Sequence, residues 1–375
     1  MKGALFLGKY ADIKVFLHWT FFVLPVWIGI SAFRQGYSWE AISWNILLVL
    51  AIFVCITLHE FGHALIARKY NCKTRSITLL PIGGVASMEA IPENPKEELN
   101  VALAGPLVNI VIATSLYLAL SVSGSPMPSF DKDFVIGSDN FLYVLMYANF
   151  FIALFNMIPA FPMDGGRVFR ALLAIKISRT KATRITAAFA QVIAVLFILI
   201  GFFYNFFLII IGVFVLLGAR SEWFVEYSRF MLREHTVKDI LIHRYESMEA
   251  GSSIEDAVKH LLDSTEDHFL VMEEGKVVGT VNKEILLKGL DDHDSHVPVR
   301  EIMDRSFRTL HPDDELSEVY NPQKGLLKSG HLMPVIENGK LLGVLDFENI
   351  AEFIQVRTSL LRRKKASMGA ENINS

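Results

Sequence analysis

A chain of 375 residues is long enough for two or three domains. With 52% hydrophobic residues, 28 Phe and a mean hydropathy of +0.38, it is too apolar for an ordinary soluble protein. A net charge of −3 gives no basis for a nucleic-acid partner, and only two cysteines, Cys55 and Cys72, exclude a disulfide framework.

The apolar residues crowd into the first 220 positions, and from Ser221 onward the composition is that of a charged, soluble chain. The first apolar stretch, Val15 to Phe33, follows Lys2, Lys9 and Lys14. It is longer than a signal-peptide core and lacks a small-x-small cleavage pattern, so it reads as a first spanning helix. Further spans are predicted at 43–68, 98–122 and 141–160, followed by an apolar run from Ile185 to Ala219. As one helix that run would extend about 50 Å against a hydrocarbon core of about 30 Å, so it is divided near Gly201 to Asn205 into two short helices. The chain is thus expected to be an α-helical polytopic membrane protein with about six transmembrane helices, followed by a soluble α/β domain.

Short loops rich in Lys and Arg stay in the cytoplasm. Arg68, Lys69, Lys73, Arg75 and Lys96 follow the second span, and Arg167, Arg170, Lys176, Arg179, Lys181 and Arg184 follow the fourth. The other two loops hold only Arg34, and Lys132 among Asp131, Asp133 and Asp139. Both termini and the soluble domain are then cytoplasmic, with the chain in the cell (inner) membrane.

Inside the second span stands Leu58-His59-Glu60-Phe61-Gly62-His63. His-Glu-x-x-His puts two imidazoles on one helix face, four residues apart, where both can hold one Zn²⁺. The carboxylate beside them can take a proton from water acidified by the metal. Counting back from Arg68, His63 lies about 8 Å and His59 about 14 Å into the membrane, where ionisable groups are costly and mark function. A pair of hydrogen-bonded bundle histidines is the bland alternative, but it leaves Glu60 without a purpose. A catalytic zinc needs a third protein ligand. Asp164, in Phe-Asn-Met-Ile-Pro-Ala-Phe-Pro-Met-Asp-Gly-Gly-Arg at 155–167, returns to the same leaflet after Pro159 and Pro162 break the fourth helix. An Asp-Gly turn at a helix end is the simpler account of Asp164, and it leaves Asn156 and the doubled proline unexplained.

His59-Glu60-Phe61-Gly62-His63, Asn156-Met157-Ile158-Pro159 and Met163-Asp164-Gly165-Gly166 together resemble the site-2 protease family of intramembrane zinc metalloproteases. Met163 stands where that family usually has Leu. Pro81-Ile82-Gly83-Gly84-Val85-Ala86 looks like its membrane-associated strand and loop, and Gly105-Pro106-Leu107-Val108-Asn109 like its Gly-x-x-x-Asn element. The resemblance implies one zinc per chain held by His59, His63 and Asp164, with Glu60 as general base and later proton donor. It implies a membrane-spanning protein substrate cut in or near its transmembrane segment. Asn156, Pro159, Gly83, Gly84 and Asn109 become substrate-positioning candidates, with Gly83-Gly84 presenting an edge to an unwound substrate. Gly105 reads as a close helix contact, and His18, beside Trp19, as a packed or interfacial side chain.

The soluble half repeats. Thr236–Leu241, Ser253–Ala257 and Phe269–Gly279 are echoed by Val299–Met303, Asp314–Ser317 with Glu318, and Met333–Gly343. Each copy gives helix, strand, turn, strand, helix, and the pair resembles tandem CBS modules. The ligand that resemblance implies is an adenine nucleotide. The usual Gly-x-x-Thr/Ser-x-x-Asp becomes Gly279 to Ile285 and Gly343 to Asn349, without the hydroxyl or the ribose-binding Asp. A regulatory module, or one that pairs copies into a homo-oligomer, is therefore favoured over a nucleotide site. The expected domains are 1–220 membrane protease, 221–235 linker, 236–360 CBS pair and 361–375 a disordered basic tail.

The main competitor is a CBS-regulated membrane transporter or channel with a non-catalytic zinc site; it leaves Glu60 between paired histidines unexplained, and the chain lacks matching halves with broken helices. A scaffold with purely structural zinc would need a fourth ligand, for which His18 is the candidate.

Overall fold

The computed structural model describes residues 3–81, 83–88, 92–124, 126–128, 134–320 and 332–371, with backbone only for 85, 86, 88 and 364–371. Ile82 of the strand-and-loop motif, Asp131 to Asp133 and residues 372–375 lie outside the described residues. The chain divides into two units, Met1–Glu226 and Tyr227–Ser375.

The first unit opens on β1 (Ala4–Tyr10) and β2 (Ile13–His18), then a 3-10 turn (Trp19–Phe22) and α1 (Val23–Arg34). The first apolar stretch is therefore not a spanning helix from Val15. Residues 15–18 are strand, because Lys14, Val15, Phe16 and Leu17 pair with Ser76 to Leu79, and an apolar run has no period of its own to separate strand from helix.

α2 (Trp39–Lys69) is 31 residues long, about 46 Å at 1.5 Å per residue. The Ser38 hydroxyl caps its start by accepting from the Ala41 N–H (3.2 Å). Its end closes as a Schellman motif: Asn71 takes φ 59, its N–H donates to Arg68 and the N–H of Cys72 donates to Ala67. One face of α2 leaves Leu47, Leu50, Val54, Leu58 and Leu65 exposed, while Phe53, Cys55, His59 and His63 face inward. In water such a face would be unstable; in lipid it is the expected surface.

β3 (Thr74–Leu80) and β4 (Gly83–Met88) complete a sheet of order β1-β2-β3-β4, with β2 and β3 parallel and the other pairs antiparallel. β4 is an edge strand. α3 (Pro95–Val122) starts with an Asn94 cap and Pro95, and Pro106 lies inside it. α4 (Phe141–Asn156) ends four residues before the predicted 160. The first residues of the expected basic loop, Arg167 and Arg170, lie in α5 (Asp164–Ala174).

α6 (Arg179–Tyr204) and α7 (Phe206–Leu232) divide at Asn205, as the length of the apolar run requires. Neither is short, since both continue into polar sequence. Residues 221–232, read as linker, belong to α7. Among the described residues four helices, α2, α3, α6 and α7, are long and apolar enough to cross a membrane; Trp19–Arg34 and Phe141–Asn156 are shorter apolar segments. Among the described residues the unit is thus mostly helical, with four long apolar helices and two shorter apolar ones where about six spans were expected.

The second unit holds the repeat. Its first copy runs through β5 (Ser247–Glu249), α8 (Ile254–Asp263), β6 (His268–Glu273), β7 (Lys276–Asn282) and α9 (Lys283–Asp292). The second has α10 (Leu316–Val319), β8 (Met333–Glu337), β9 (Lys340–Leu345) and α11 (Phe347–Glu371). The turns Glu274-Gly275 and Asn338-Gly339 both have positive φ, the conformation that twists a two-residue hairpin correctly. Each copy lends its entry segment to the other: Ile242 pairs with Val344, and Asp304 with Thr280. The pair therefore shares a core, in which Leu270 and Val344 are buried in one cluster. α11 continues through Arg362 and Arg363 to Glu371 in place of the expected disordered tail, in a stretch of helix formers without proline.

Candidate metal centre

α2 carries His59 and His63 one turn apart, and both are buried. α5 delivers Asp164 as its first residue, buried against them. Nε2 of His59, Nε2 of His63 and Oδ2 of Asp164 form a triangle with every side 3.1 Å. A tetrahedral zinc with bonds of about 2.0–2.2 Å sets its ligand atoms about 3.3 Å apart, so two imidazoles and a carboxylate at these separations fit the ion. Among the described residues this is the one group of three His, Cys, Asp or Glu side chains within metal-binding reach. His18 is not part of it. Its Nδ1 meets Thr20 Oγ1 at 2.7 Å and its ring lies beside Trp19, at the cap of the 3-10 turn.

The far nitrogens of both rings are held. Nδ1 of His63 lies 2.7 Å from the Val101 carbonyl, which can only accept, so Nδ1 carries the proton and Nε2 offers its lone pair to the triangle. Nδ1 of His59 lies 2.5 Å from Oδ1 of Asn109. Asn109 is fully buried and joins the imidazole, a partner that its reading as a substrate-positioning residue does not name.

Gly105 reads from sequence as a close helix contact. The contact it makes is with the site: a Cβ there would sit 2.6 Å from Nε2 of His59 and closer still to His63. Gly62 likewise lets α2 approach α3, since a Cβ would meet the Ala104 carbonyl oxygen at 2.8 Å. Gly165 and Gly166 are not an Asp-Gly turn. They lie in the first turn of α5, where Cβ atoms would collide with backbone of Met157 to Phe161. Their bareness lets α5 begin beneath that segment and so sets the position of Asp164.

Glu60, partly buried, points to β4: a Cβ on Gly84 would lie 2.7 Å from its Cγ. Gly83 begins β4 at φ 132 in open space. Asn156 is the last residue of α4, partly buried, and makes no hydrogen bond to the two histidines or Asp164 among the described residues. Pro159 is exposed in the connection between α4 and α5.

Sequence reasoning missed a buried ion network beside the site. Glu98 on α3 is 1% exposed and accepts from Arg170 Nε (2.8 Å) and Nη2, and from Arg179 Nη1 (2.7 Å). Glu222 on α7 accepts from Arg170 (3.3 Å) and pairs with Arg167 at 3.7 Å, while Glu226 accepts from Arg179 (3.2 Å). Arginines that read as loop charges thus tie α3, α5, α6 and α7 together. No local pattern announces pairs 47 to 81 residues apart.

In the CBS pair, the residues at the missing hydroxyl positions serve as helix caps. Asn282 Oδ1 accepts from the Ile285 N–H (2.9 Å), and Asp346 Oδ1 from the Asn349 N–H (2.7 Å). Ile285, at the ribose-binding position, packs against the core of the first copy. A cavity of about 180 Å³ lies there, lined by Phe269, Thr280, Asn282, Ile285 and Asp304 among others.

Comparison with known proteins agrees with this architecture. The sequence model of peptidase family M50 matches residues 47–201, and that of the CBS domain matches 237–292 and 299–356. A zinc metalloprotease of Methanocaldococcus jannaschii is 31% identical over 364 residues, covering 95% of this chain and 97% of that protein. Stage IV sporulation protein FB of Bacillus subtilis is 30% identical over 138 residues, 36% of this chain and 44% of that protein. The solved site-2 protease from Methanocaldococcus jannaschii is 36% identical, with a TM-score of 0.44, over 59% of this chain and 95% of that one. Similar to a zinc metalloprotease from end to end, the chain belongs to peptidase family M50, the site-2 protease family of metalloproteases, and carries a pair of CBS domains.

Proposed function

We propose that the protein is an intramembrane zinc endopeptidase that hydrolyses a peptide bond in or near the transmembrane segment of a membrane-anchored substrate, under control of its CBS pair. The observation that carries this reading is a buried triangle in which α5 brings Asp164 against His59 and His63 of a 31-residue apolar helix that also bears Glu60. Each of these groups is costly in lipid unless it serves chemistry.

His59, His63 and Asp164 would hold the ion, and Zn²⁺ bound there would supply Lewis acidity, lowering the pKa of water and polarising a carbonyl. Glu60 takes the proton from the attacking water and passes it to the leaving amide nitrogen. The exposed edge of β4 runs past Glu60 at Gly84. A substrate strand that unwinds and pairs with this edge brings its peptide bond to Glu60, and Gly83 leaves the approach open. Asn156 and Pro159, which precede Asp164 between α4 and α5, are the further candidates for positioning the substrate.

Trp19–Arg34 and Phe141–Asn156 supply two further crossings, which makes six and leaves both termini and the CBS pair in the cytoplasm, with the protein in the cell membrane. In the CBS pair, Asn282 and Asp346 are occupied as caps, and Ile285 fills the ribose position. A regulatory or copy-pairing role follows more readily than an adenine-nucleotide site.

The test compares wild type with Glu60→Gln in detergent, scoring bound zinc and cleavage of single-span membrane proteins. The variant is expected to keep zinc and lose cleavage. Zinc in the wild type with no cleavage of any substrate, together with transport in flux assays, would overturn the reading.

A further inference from the structure

The rings of His59 and His63 are fixed by different means. Val101 offers His63 a backbone carbonyl, which has no alternative orientation. His59 instead meets a primary amide, and an amide has two faces. With Oδ1 of Asn109 toward Nδ1, His59 carries its proton on Nδ1 and presents the Nε2 lone pair to the triangle. With the amide turned over, an N–H would face Nδ1, the proton would move to Nε2, and the ring would present N–H where a lone pair is needed. Something must hold the amide of Asn109.

We propose that Asn149 on α4 is a positioning residue of the metal centre that sets the tautomer of His59 through Asn109. Asn149 is fully buried. One of its amide atoms lies 2.9 Å from the Leu145 carbonyl, which only accepts, so that atom is Nδ2. The same nitrogen lies 3.4 Å from Sγ of Cys55. Oδ1 of Asn149 is thereby turned to Asn109, 2.8 Å away, and accepts from its Nδ2. Asn109 then has only Oδ1 left to offer Nδ1 of His59. The backbone of α4 at Leu145 thus determines, through two amides, which nitrogen of an α2 imidazole is free. The relay is buried throughout, so no water can substitute for a lost partner.

The proposal rests on the reading of His59 as a metal ligand, and the test separates the two. Zinc affinity is measured by chelator competition on the full chain in detergent for wild type, Asn149→Leu, and Asn149→Leu combined with Asn109→Asp. An aliphatic side chain in place of the Asn149 amide cannot orient Asn109, and affinity is expected to fall by about 10-fold to 100-fold. A carboxylate in place of the Asn109 amide accepts from Nδ1 whichever way it turns, so the double variant is expected to return to within about threefold of wild type. A packing role for Asn149 would show no such rescue, and a double variant as weak as Asn149→Leu overturns the proposal.

If Asn149→Leu does not fold, the ¹⁵N spectrum of histidine-labelled, metal-free wild type decides, with His59 assigned by its loss in His59→Gln. A proton on Nδ1 is expected without metal, with or without a second on Nε2 facing the acceptor-only Asp164 carboxylate, and an Nδ1 that carries no proton overturns the relay. A wild type that binds no zinc yet protonates His59 at Nδ1 would sink the ligand assignment and leave the relay standing.

Discussion

Gly105 on α3 faces His63 on α2 with no side chain between them, and the imidazole occupies the space a methyl group would fill. Gly105→Ala is therefore expected to displace both rings while leaving the helix intact, since alanine is the better helix former. Zinc affinity should fall by about 10-fold or more, with little change in thermal stability of the metal-free protein. Affinity equal to wild type would show that the rings can move aside without loss.

Gly84 separates zinc binding from cleavage. A Cβ there would lie 2.7 Å from Cγ of Glu60 and 3.3 Å from Ile56. Gly84→Val is expected to retain zinc and to lower cleavage on the order of 100-fold, because a carboxylate displaced by about 1 Å no longer reaches its proton. Equal loss of zinc would place β4 in the support of the metal centre instead.

Glu98 is the hub of the buried ion network. Glu98→Ala leaves the guanidinium of Arg170, 2% exposed, without its main partner, a change that costs about 3–5 kcal/mol in buried pairs. The metal-free protein should unfold at markedly lower temperature in detergent, and Glu98→Gln, which still accepts hydrogen bonds, should lose less. Unchanged melting of Glu98→Ala would mean that the arginines find other acceptors.

The CBS pair should respond to acid at Asp239. The Thr236 N–H donates to its carboxylate (2.9 Å) and, with the His235 ring nearby, holds it below the ordinary carboxylate value. A group depressed on folding stabilises the fold above its unfolded pKa, and that contribution is lost as pH falls through the folded value. Because the carboxylate is largely exposed, the effect is about 0.5 kcal/mol. Amide exchange of residues 236–242 in the full chain should quicken as pH drops below about 4, after correction for intrinsic rates, and Asp239→Asn should remove the pH dependence. An Asp239→Asn segment with the same acid response would assign it to another group.

The His59, Glu60 and His63 constellation was legible because helical spacing alone places residues four apart on one face. Asp164 was legible because Pro159 and Pro162 keep the preceding helix from continuing and a new helix starts at Asp164. The division at Asn205 followed from length alone. The repeats were legible from their two-residue turns, where Gly275 and Gly339 take φ values that other residues avoid. The strand at Val15 to His18 was not legible, since its identity comes from pairing with Ser76 to Leu79 and an apolar run carries no sign of that. Arg167 and Arg170 read as loop charges because they open a run of Lys and Arg; only the packing of Gly165 and Gly166 against Met157 to Phe161 shows the helix start that carries them.

By itself the sequence determined the apolar half and its long spans, the motif that gathers two imidazoles and a carboxylate, and the doubled soluble module. These depend on composition and on periods of a few residues, which the chain carries locally. The tertiary structure alone decided that Gly105 is the floor of the site, that Asn109 and Asn149 govern one imidazole, and that Glu98 gathers arginines from two other helices. Those depend on contacts between residues 40 to 81 apart, and an amide's orientation or a missing methyl acquires meaning only when the partner helix is in place.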